Sequence, residues 1–250
     1  MNNIFIFKKV KINSFVILIF TFLFSTAFSN DFDKCLWIKS ETMQDRKMVE
    51  DALTLAKGFK FDKVFIQVRS RGDAFYNSDI VIKNHLIEDG FDPLGYAVKL
   101  GHELNLEIHA WVNVYMLWSN FGNMPDNPNH LLHSQPDWIE ANIYGKLDSD
   151  IYKVFNDKNK KKKQPSKNWE GIFLSPNNPE VNNYLVSVFS ELINNYDIDG
   201  LHFDYIRFQD DFYGYNQIGK DVFYSKYGFN YSDIERGIIS TEYGWKSSDI

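Results

Sequence analysis

The chain of 250 residues contains a single cysteine, Cys35, so it cannot close a disulfide within itself. A disulfide-stapled scaffold is thereby excluded, and Cys35 is expected as a buried thiol on a strand. Positive charge is also in short supply: 27 Lys and Arg stand against 33 Asp and Glu, for a formal net charge of −6. Phosphate backbones are bound by clustered cations, so nucleic acid is excluded as a partner. No short internal repeat is found. No glycine-rich phosphate loop follows the first strand, which argues against dinucleotide binding, and no cofactor is expected.

Long apolar stretches are missing too. The run from Phe15 to Phe24 falls short of the roughly 20 residues a membrane span needs. It follows Lys8, Lys9 and Lys11 and precedes Ala27-Phe28-Ser29, which puts small residues at the −3 and −1 positions of a cleavage site. Charge, length and cleavage chemistry together are those of a secretory signal peptide over residues 1–29, with an uncleaved anchor as the alternative. The chain is therefore expected to be exported and to keep no stable membrane anchor after cleavage. Removing three lysines and no acids takes the formal charge from −6 to −9.

What the chain has in plenty is apolar and aromatic side chains, 44% and 17% of residues, enough for a packed core over 30–250. Strands alternate with helices. Strands are expected at Cys35 to Ile38, Val64 to Val68, Leu106 to Val112 and Gly200 to Tyr205. Helices are expected from about Asp45 to Lys57, from Asp92-Pro93 to about Leu104, from Asn178-Pro179 through Val181, Leu185, Val188 and Leu192, and around Gly219 to Tyr227. The segment from Met116 to Pro176 reads as a long irregular stretch. Its lysine cluster, five in the six residues 158–163, reads as a solvated tip, with attraction to an anionic polysaccharide as the alternative. Alternation of this kind implies parallel pairing, hence an α/β fold. The polar strand ends favour a barrel over an open sheet.

Three strands repeat one device. Gln67, Arg69 and Arg71 share a parity on the second strand, His109, Trp111 and Asn113 on the third, and His202 and Asp204 on the fourth. An unpaired buried polar group costs a few kcal/mol, so inward polar residues on three successive strands call for a site. Barrel enzymes build theirs at the C-terminal strand ends. Asp204 is the candidate catalytic carboxylate, with Arg69 and Arg207 as neighbours able to hold it ionised; the competing reading is a loop cap. Asp73, just beyond the second strand, is the second acidic candidate and equally reads as a cap of its own loop. His109 and His202 read as packing or hydrogen-bonding residues rather than metal ligands, and no metal is expected. Tyr76, Trp111, Tyr115, Trp118, Trp138 and Tyr205 are expected around the mouth, where flat rings stack on sugars.

Four motifs, occurring in order, carry a resemblance. They are Phe65-Ile66-Gln67-Val68-Arg69-Ser70-Arg71-Gly72-Asp73-Ala74-Phe75-Tyr76, Phe91-Asp92-Pro93-Leu94, His109-Ala110-Trp111-Val112-Asn113, and Asp199-Gly200-Leu201-His202-Phe203-Asp204-Tyr205-Ile206-Arg207. Over roughly Lys34 to Tyr227 the chain resembles the glycosyl-hydrolase-like 10 family of bacterial exported proteins. The resemblance implies a (β/α)8 TIM-type barrel and a glycosidase-like activity on a polysaccharide or oligosaccharide. By it, Asp204 is a catalytic or substrate-binding carboxylate, and Arg69, Arg71, Tyr76, His109, Trp111, Asn113, His202, Tyr205 and Arg207 line the sugar site. Only four β/α units are counted, however. The chain is expected to be either a truncated frame or a half-barrel that pairs with a second copy as a homodimer.

Three functions are consistent with these residues. The first is hydrolysis of a glycosidic bond by two carboxyl groups, about 5–5.5 Å apart for retention and about 6.5–9.5 Å apart for inversion. The second is a carbohydrate-binding remnant lacking a complete acid–base pair. The third is a metal-dependent hydrolase using His109, His202 and Asp204.

Overall fold

The structure is a computed structural model that describes residues 32–120, 123–156 and 169–235. The expected leader, with its expected cleavage site, and the lysine cluster at 158–163 lie outside the described residues. The chain divides into two units, Met1–Asp33 and Lys34–Ile250, and all strands and helices of the described residues belong to the second.

In chain order the elements are β1 (Cys35–Ile38), α1 (Arg46–Gly58), β2 (Lys63–Ser70), β3 (Asp73–Ala74), α2 (Pro93–Glu103), β4 (Glu107–Asn113), β5 (Met116–Trp118), α3 (Leu131–Ser134), α4 (Asp148–Asn156), β6 (Ile172–Phe173), α5 (Pro179–Asn195), β7 (Gly200–Asp204), α6 (Gln217–Tyr227) and α7 (Tyr231–Glu235). The main sheet runs β1-β2-β4-β7, every neighbouring pair parallel, with β3 turned back antiparallel on β2. Helices α1, α2 and α5 connect the parallel strands. The fold is α/β, of the (β/α)8 TIM-barrel type, with four β/α units among the described residues.

The helices begin where their caps allow. Asp45 accepts the Met48 amide (2.9 Å), Asp92 the Gly95 amide (3.2 Å), and Asn178 the Glu180 amide (2.9 Å). Proline at the first position of α2 and α5 lacks the N–H that would otherwise be orphaned. Val181, Leu185, Val188 and Leu192 are all buried, the stripe expected of a helix laid on a sheet. Truncating Leu185 to Ala is expected to cost about 2–5 kcal/mol. On α2 the backbone comes so near β4 that a Cβ at Gly101 would collide with Ile108.

The segment after β4 is more ordered than its composition implies. Met116–Trp118 pairs antiparallel with Ile172–Phe173, and among the described residues two α-helices and one short 3-10 helix lie between. Both strands are buried along their whole length. Each is too short to carry a period, and their partners are distant in sequence. Cys35 is only part-buried, because β1 is an outer strand of the sheet. Trp37 on β1 is 50% exposed and Phe203 on β7 is 42% exposed, so both outer strands leave apolar surface uncovered.

Candidate functional site

Parallel registers stack the inner face of the sheet in layers. The lowest pairs Phe65, His109 and Gly200; the next pairs Gln67, Trp111 and His202; the uppermost sets Asn113 beside Asp204. Gly200 has a local reason: a Cβ there would stand 2.6 Å from His109 Nδ1, so only glycine lets the imidazole lie across the strand. The His109 ring lies 4.8 Å from that of Phe65, and its Nε2 is 3.2 Å from Glu107. His202 sits among the rings of Phe65 (5.1 Å), Trp37 (6.1 Å) and Trp111 (6.3 Å). Gln67 binds Asn113 Oδ1 through Nε2 (3.2 Å) and accepts the Ser40 amide (3.3 Å).

Asp204 ends β7 at the top of this face. Its Oδ2 accepts the Trp111 indole N–H at 3.1 Å, and its Oδ1 accepts the Tyr205 amide at 2.8 Å. Tyr205 is left-handed (φ 53), as is Arg71 (φ 53) after β2. The Tyr205 ring rests edge-on against Phe173 (6.0 Å) and carries the Arg207 guanidinium at 5.5 Å.

Several expected neighbours are elsewhere. A β-bulge after Gln67 sets Arg69 opposite Val112 rather than Asn113, so the alternation fails and Arg69 leaves the face of Gln67. It is fully buried, and its guanidinium donates to the carbonyls of Asn113 and Val114. Arg69 therefore holds the end of β4. Arg207 binds Glu170 (2.8 Å) and the carbonyls of Phe208 and Gln209. Neither arginine is a partner of Asp204; two N–H donors take that place.

Tyr76 is also completely buried, packed edge-on against Tyr196 at 5.9 Å, and has no access to a ligand. Tyr115 and Trp138 are turned to α5, bonding Asn182 (2.9 Å) and Glu180 (3.0 Å). Arg71 is exposed and bonds Ser119 (3.2 Å).

Asp73 lies apart from Asp204, in a cavity of about 490 Å³ whose lining includes Trp118, Asn127 and His130. Its Oδ2 accepts from Asn84 (2.7 Å), and its Oδ1 is 3.9 Å from His130 Nε2. Burial pushes the Asp73 carboxyl above its ordinary value, against the lowering pull of Asn84 and His130. Burial likewise pushes His130 down, and its Nε2 donates to the Arg71 carbonyl at 2.7 Å. Among the described residues no three His, Cys, Asp or Glu side chains converge as a metal site. His109, two layers below Asp204, is paired with Glu107 instead.

Sequence reasoning missed a second acidic centre. Asp148 is fully buried and accepts from the Trp169 indole (3.0 Å), the Phe173 amide (3.1 Å) and Gln209 Nε2 (3.2 Å). Burial pushes it up to about 7 despite these donors. Glu140 is also fully buried, and burial with Asp148 nearby takes it up to about 7. Gln209 also accepts the Glu170 amide (2.7 Å), so this network ties the segment between β5 and β6 to the loop after Asp204. Glu140 had a signal, a carboxylate between apolar Ile139 and Ala141. Asp148 had none, because an acid in a helix's first turn reads as an ordinary dipole partner.

Parallel β/α units with a polar, aromatic inner face ending in a fixed carboxylate define a barrel-type protein of the glycoside-hydrolase-like class. The chain belongs to the family Glycosyl hydrolase-like 10, which matches residues 27–247. It is similar to glycosyl hydrolase YngK of Bacillus subtilis (strain 168), 25% identical over 206 residues, covering 78% of this chain and 34% of that protein. It is also similar to glycosyl hydrolase DigH of Escherichia coli (strain K12), 26% identical over 170 residues, covering 65% of this chain and 34% of DigH. The chain thus spans about a third of the length of either relative. Among solved structures, a protein of Ruminiclostridium thermocellum ATCC 27405 shares the fold with a TM-score of 0.50 at 14% identity, over 77% of this chain and 91% of that one.

Proposed function

We propose that this chain carries a glycosidic-bond-hydrolysing site in which Asp204 acts as nucleophile or base. The observation that carries this reading is the Asp204 carboxylate, clamped between the Trp111 indole and the Tyr205 amide at a strand's C-terminal end. It receives both hydrogen bonds and donates neither, which suits a group that must attack or accept a proton. Asp73, raised by burial, has the character needed of the proton donor. Trp111 and Tyr205 supply flat rings beside it for a sugar. The names of the two relatives support the same class of reaction, and the charged-then-apolar N-terminus supports action after export.

The test is Asp204→Asn, assayed by reducing-end release from a panel of neutral polysaccharides, with circular dichroism as the control for folding. Loss of release with the fold retained is expected; unchanged turnover defeats the reading. A second reading, binding without turnover, is favoured by the position of Asp73: among the described residues, the cavity that it lines does not have Asp204 in its lining. Glycan binding by the wild-type chain with no reducing-end release would select it.

A further inference from the structure

We infer that the hairpin tip carrying Tyr144, together with Phe212 on the neighbouring loop, is a distal saccharide subsite, a ring platform on which a polysaccharide extending beyond Asp204 stacks. The inference rests on the glycan-directed reading and adds to it a binding surface away from the reacting centre. Tyr144 is 81% exposed and Phe212 61%, and Ile143, next to the one and opposite the other, is exposed as well. Single exposed apolar residues are ordinary on a protein surface, whereas adjoining ones rimmed by polar residues mark a binding surface.

Both rings stand on braced backbone. Residues 141–147 close a tight hairpin, in which Ala141 bridges Leu147 and the Asn142 amide donates to the Lys146 carbonyl (3.0 Å). Asn142 Oδ1 accepts the amides of Tyr144 (3.0 Å) and Lys146 (3.1 Å), and Gly145 takes the left-handed position of the turn (φ 70). The hairpin is zipped in turn to the loop that follows Asp204. Asn142 pairs antiparallel with Tyr213, the Ile143 amide donates to the Phe212 carbonyl (2.7 Å), and the Tyr215 amide donates to the carbonyl of buried Ala141 (3.1 Å). Phe212 is fixed by its own amide, which donates to Asp210 Oδ1 (2.8 Å). Backbone ordered before binding spares a ligand the entropy of ordering it.

The chemistry of the platform fits a sugar chain. The flat faces of Tyr144 and Phe212 suit the C–H faces of pyranose rings, while exposed Lys146 and Asp211 bring a donor and an acceptor for hydroxyl groups. Its place in the chain fits as well. Phe212 lies eight residues after Asp204, so the two are within about 29 Å of each other even at full extension. The ion pair of Arg207 with Glu170 (2.8 Å) and the bonds of Gln209 to Asp148 (3.2 Å) and the Glu170 amide (2.7 Å) hold the loop between them. A polymer seated at Asp204 is long enough to reach the platform.

Affinity electrophoresis provides the test, in native gels containing laminarin, hydroxyethyl cellulose, soluble xylan or glycol chitin. The Asp204→Asn chain serves as parent, so that turnover does not intrude, and thermal unfolding checks that each variant folds. The parent is expected to be retarded by at least one of these polymers. Tyr144→Ala and Phe212→Ala are each expected to weaken that binding about tenfold, and Tyr144→Phe to keep it within about twofold. Tyr224→Ala, which removes an exposed ring of α6, is expected to leave it unchanged. Ring variants at 144 and 212 that bind as tightly as the parent overturn the inference and leave the hydrolytic reading intact, as does an equal loss from Tyr224→Ala. A parent retarded by none of the polymers also overturns it; reducing-end release by the wild type would then keep the hydrolytic reading, and its absence would remove both. Ring-dependent retardation with no release by the wild type leaves this inference standing and removes the hydrolytic one.

Discussion

The indole N–H of Trp111 on β4 lies 3.1 Å from the Oδ2 of Asp204 on the neighbouring strand β7. Parallel register makes this possible: Trp111 is aligned with His202, two residues before Asp204, so a long side chain reaches diagonally up the face to the carboxylate. A hydrogen bond to a charged acceptor is worth about 1.5–3 kcal/mol. Trp111→Phe keeps an aromatic ring and removes only the donor. It is expected to lower the rate by roughly tenfold to a hundredfold, with a stability loss of no more than about 1.5–3 kcal/mol, read as kcat against the thermal midpoint. An unchanged kcat would mean that the bond does not position Asp204 for the reaction.

Arg69 gives a contrasting prediction, because the bulge turns it off the face of Gln67 and onto the carbonyls of Asn113 and Val114. Arg69→Met leaves those buried carbonyls short of a donor. A stability loss of about 2–4 kcal/mol is expected from the urea midpoint. Saccharide affinity of the folded chain should remain within a few-fold of the parent, whereas a ligand-contacting arginine would lose binding first.

Gly72 is left-handed (φ 80), and a Cβ there would stand 2.6 Å from His130 Nε2 and 2.8 Å from Leu117. Gly72→Ala therefore combines backbone strain with displacement of His130 from the Arg71 carbonyl. Destabilisation of about 2–4 kcal/mol is expected in thermal unfolding. A loss no larger than that of a typical exposed Gly→Ala change would show that the loop shifts freely.

The dependence of stability on pH follows from the buried acids. Glu140 and Asp148 are both raised to about 7 in the folded chain, whereas an unfolded carboxyl titrates near about 4. The folded state thus binds more protons across that window, and stability falls as pH rises through it. Asp199 has the opposite sign: burial alone would raise it, but the Ile108 amide and His102 outweigh burial and lower it, so its contribution is lost in strong acid. The melting temperature is expected to be greatest at mildly acid pH and to fall by several degrees towards pH 8. Asp148→Asn should flatten the upper limb. A melting temperature that rises from pH 5 to pH 8 would refute the assignment.

Much of the fold was legible because its signals are local. The caps Asp45, Asp92 and Asn178, the stripe Val181, Leu185, Val188 and Leu192, and the four apolar strands each depend on spacing within a dozen or so residues. The alternation that put His109, Trp111 and Asn113 on one face also held, since β4 and β7 pair without interruption. Arg69 broke the pattern because a bulge is set by pairing with a neighbouring strand, which β2 alone does not encode. Tyr76 reads like any rim aromatic until its packing on Tyr196 is seen.

By itself, then, the sequence determined the order of the four parallel strands and of the helices that connect them, the parallel pairing and the placing of Asp204 at a strand end. These follow from side-chain period and capping chemistry, which are properties of contiguous residues. Only the tertiary structure decided the partners of Asp204, the cavity around Asp73 and the burial of Glu140 with Asp148. Those depend on contacts between residues far apart in the chain, and desolvation and hydrogen bonding act only once folding has brought them together.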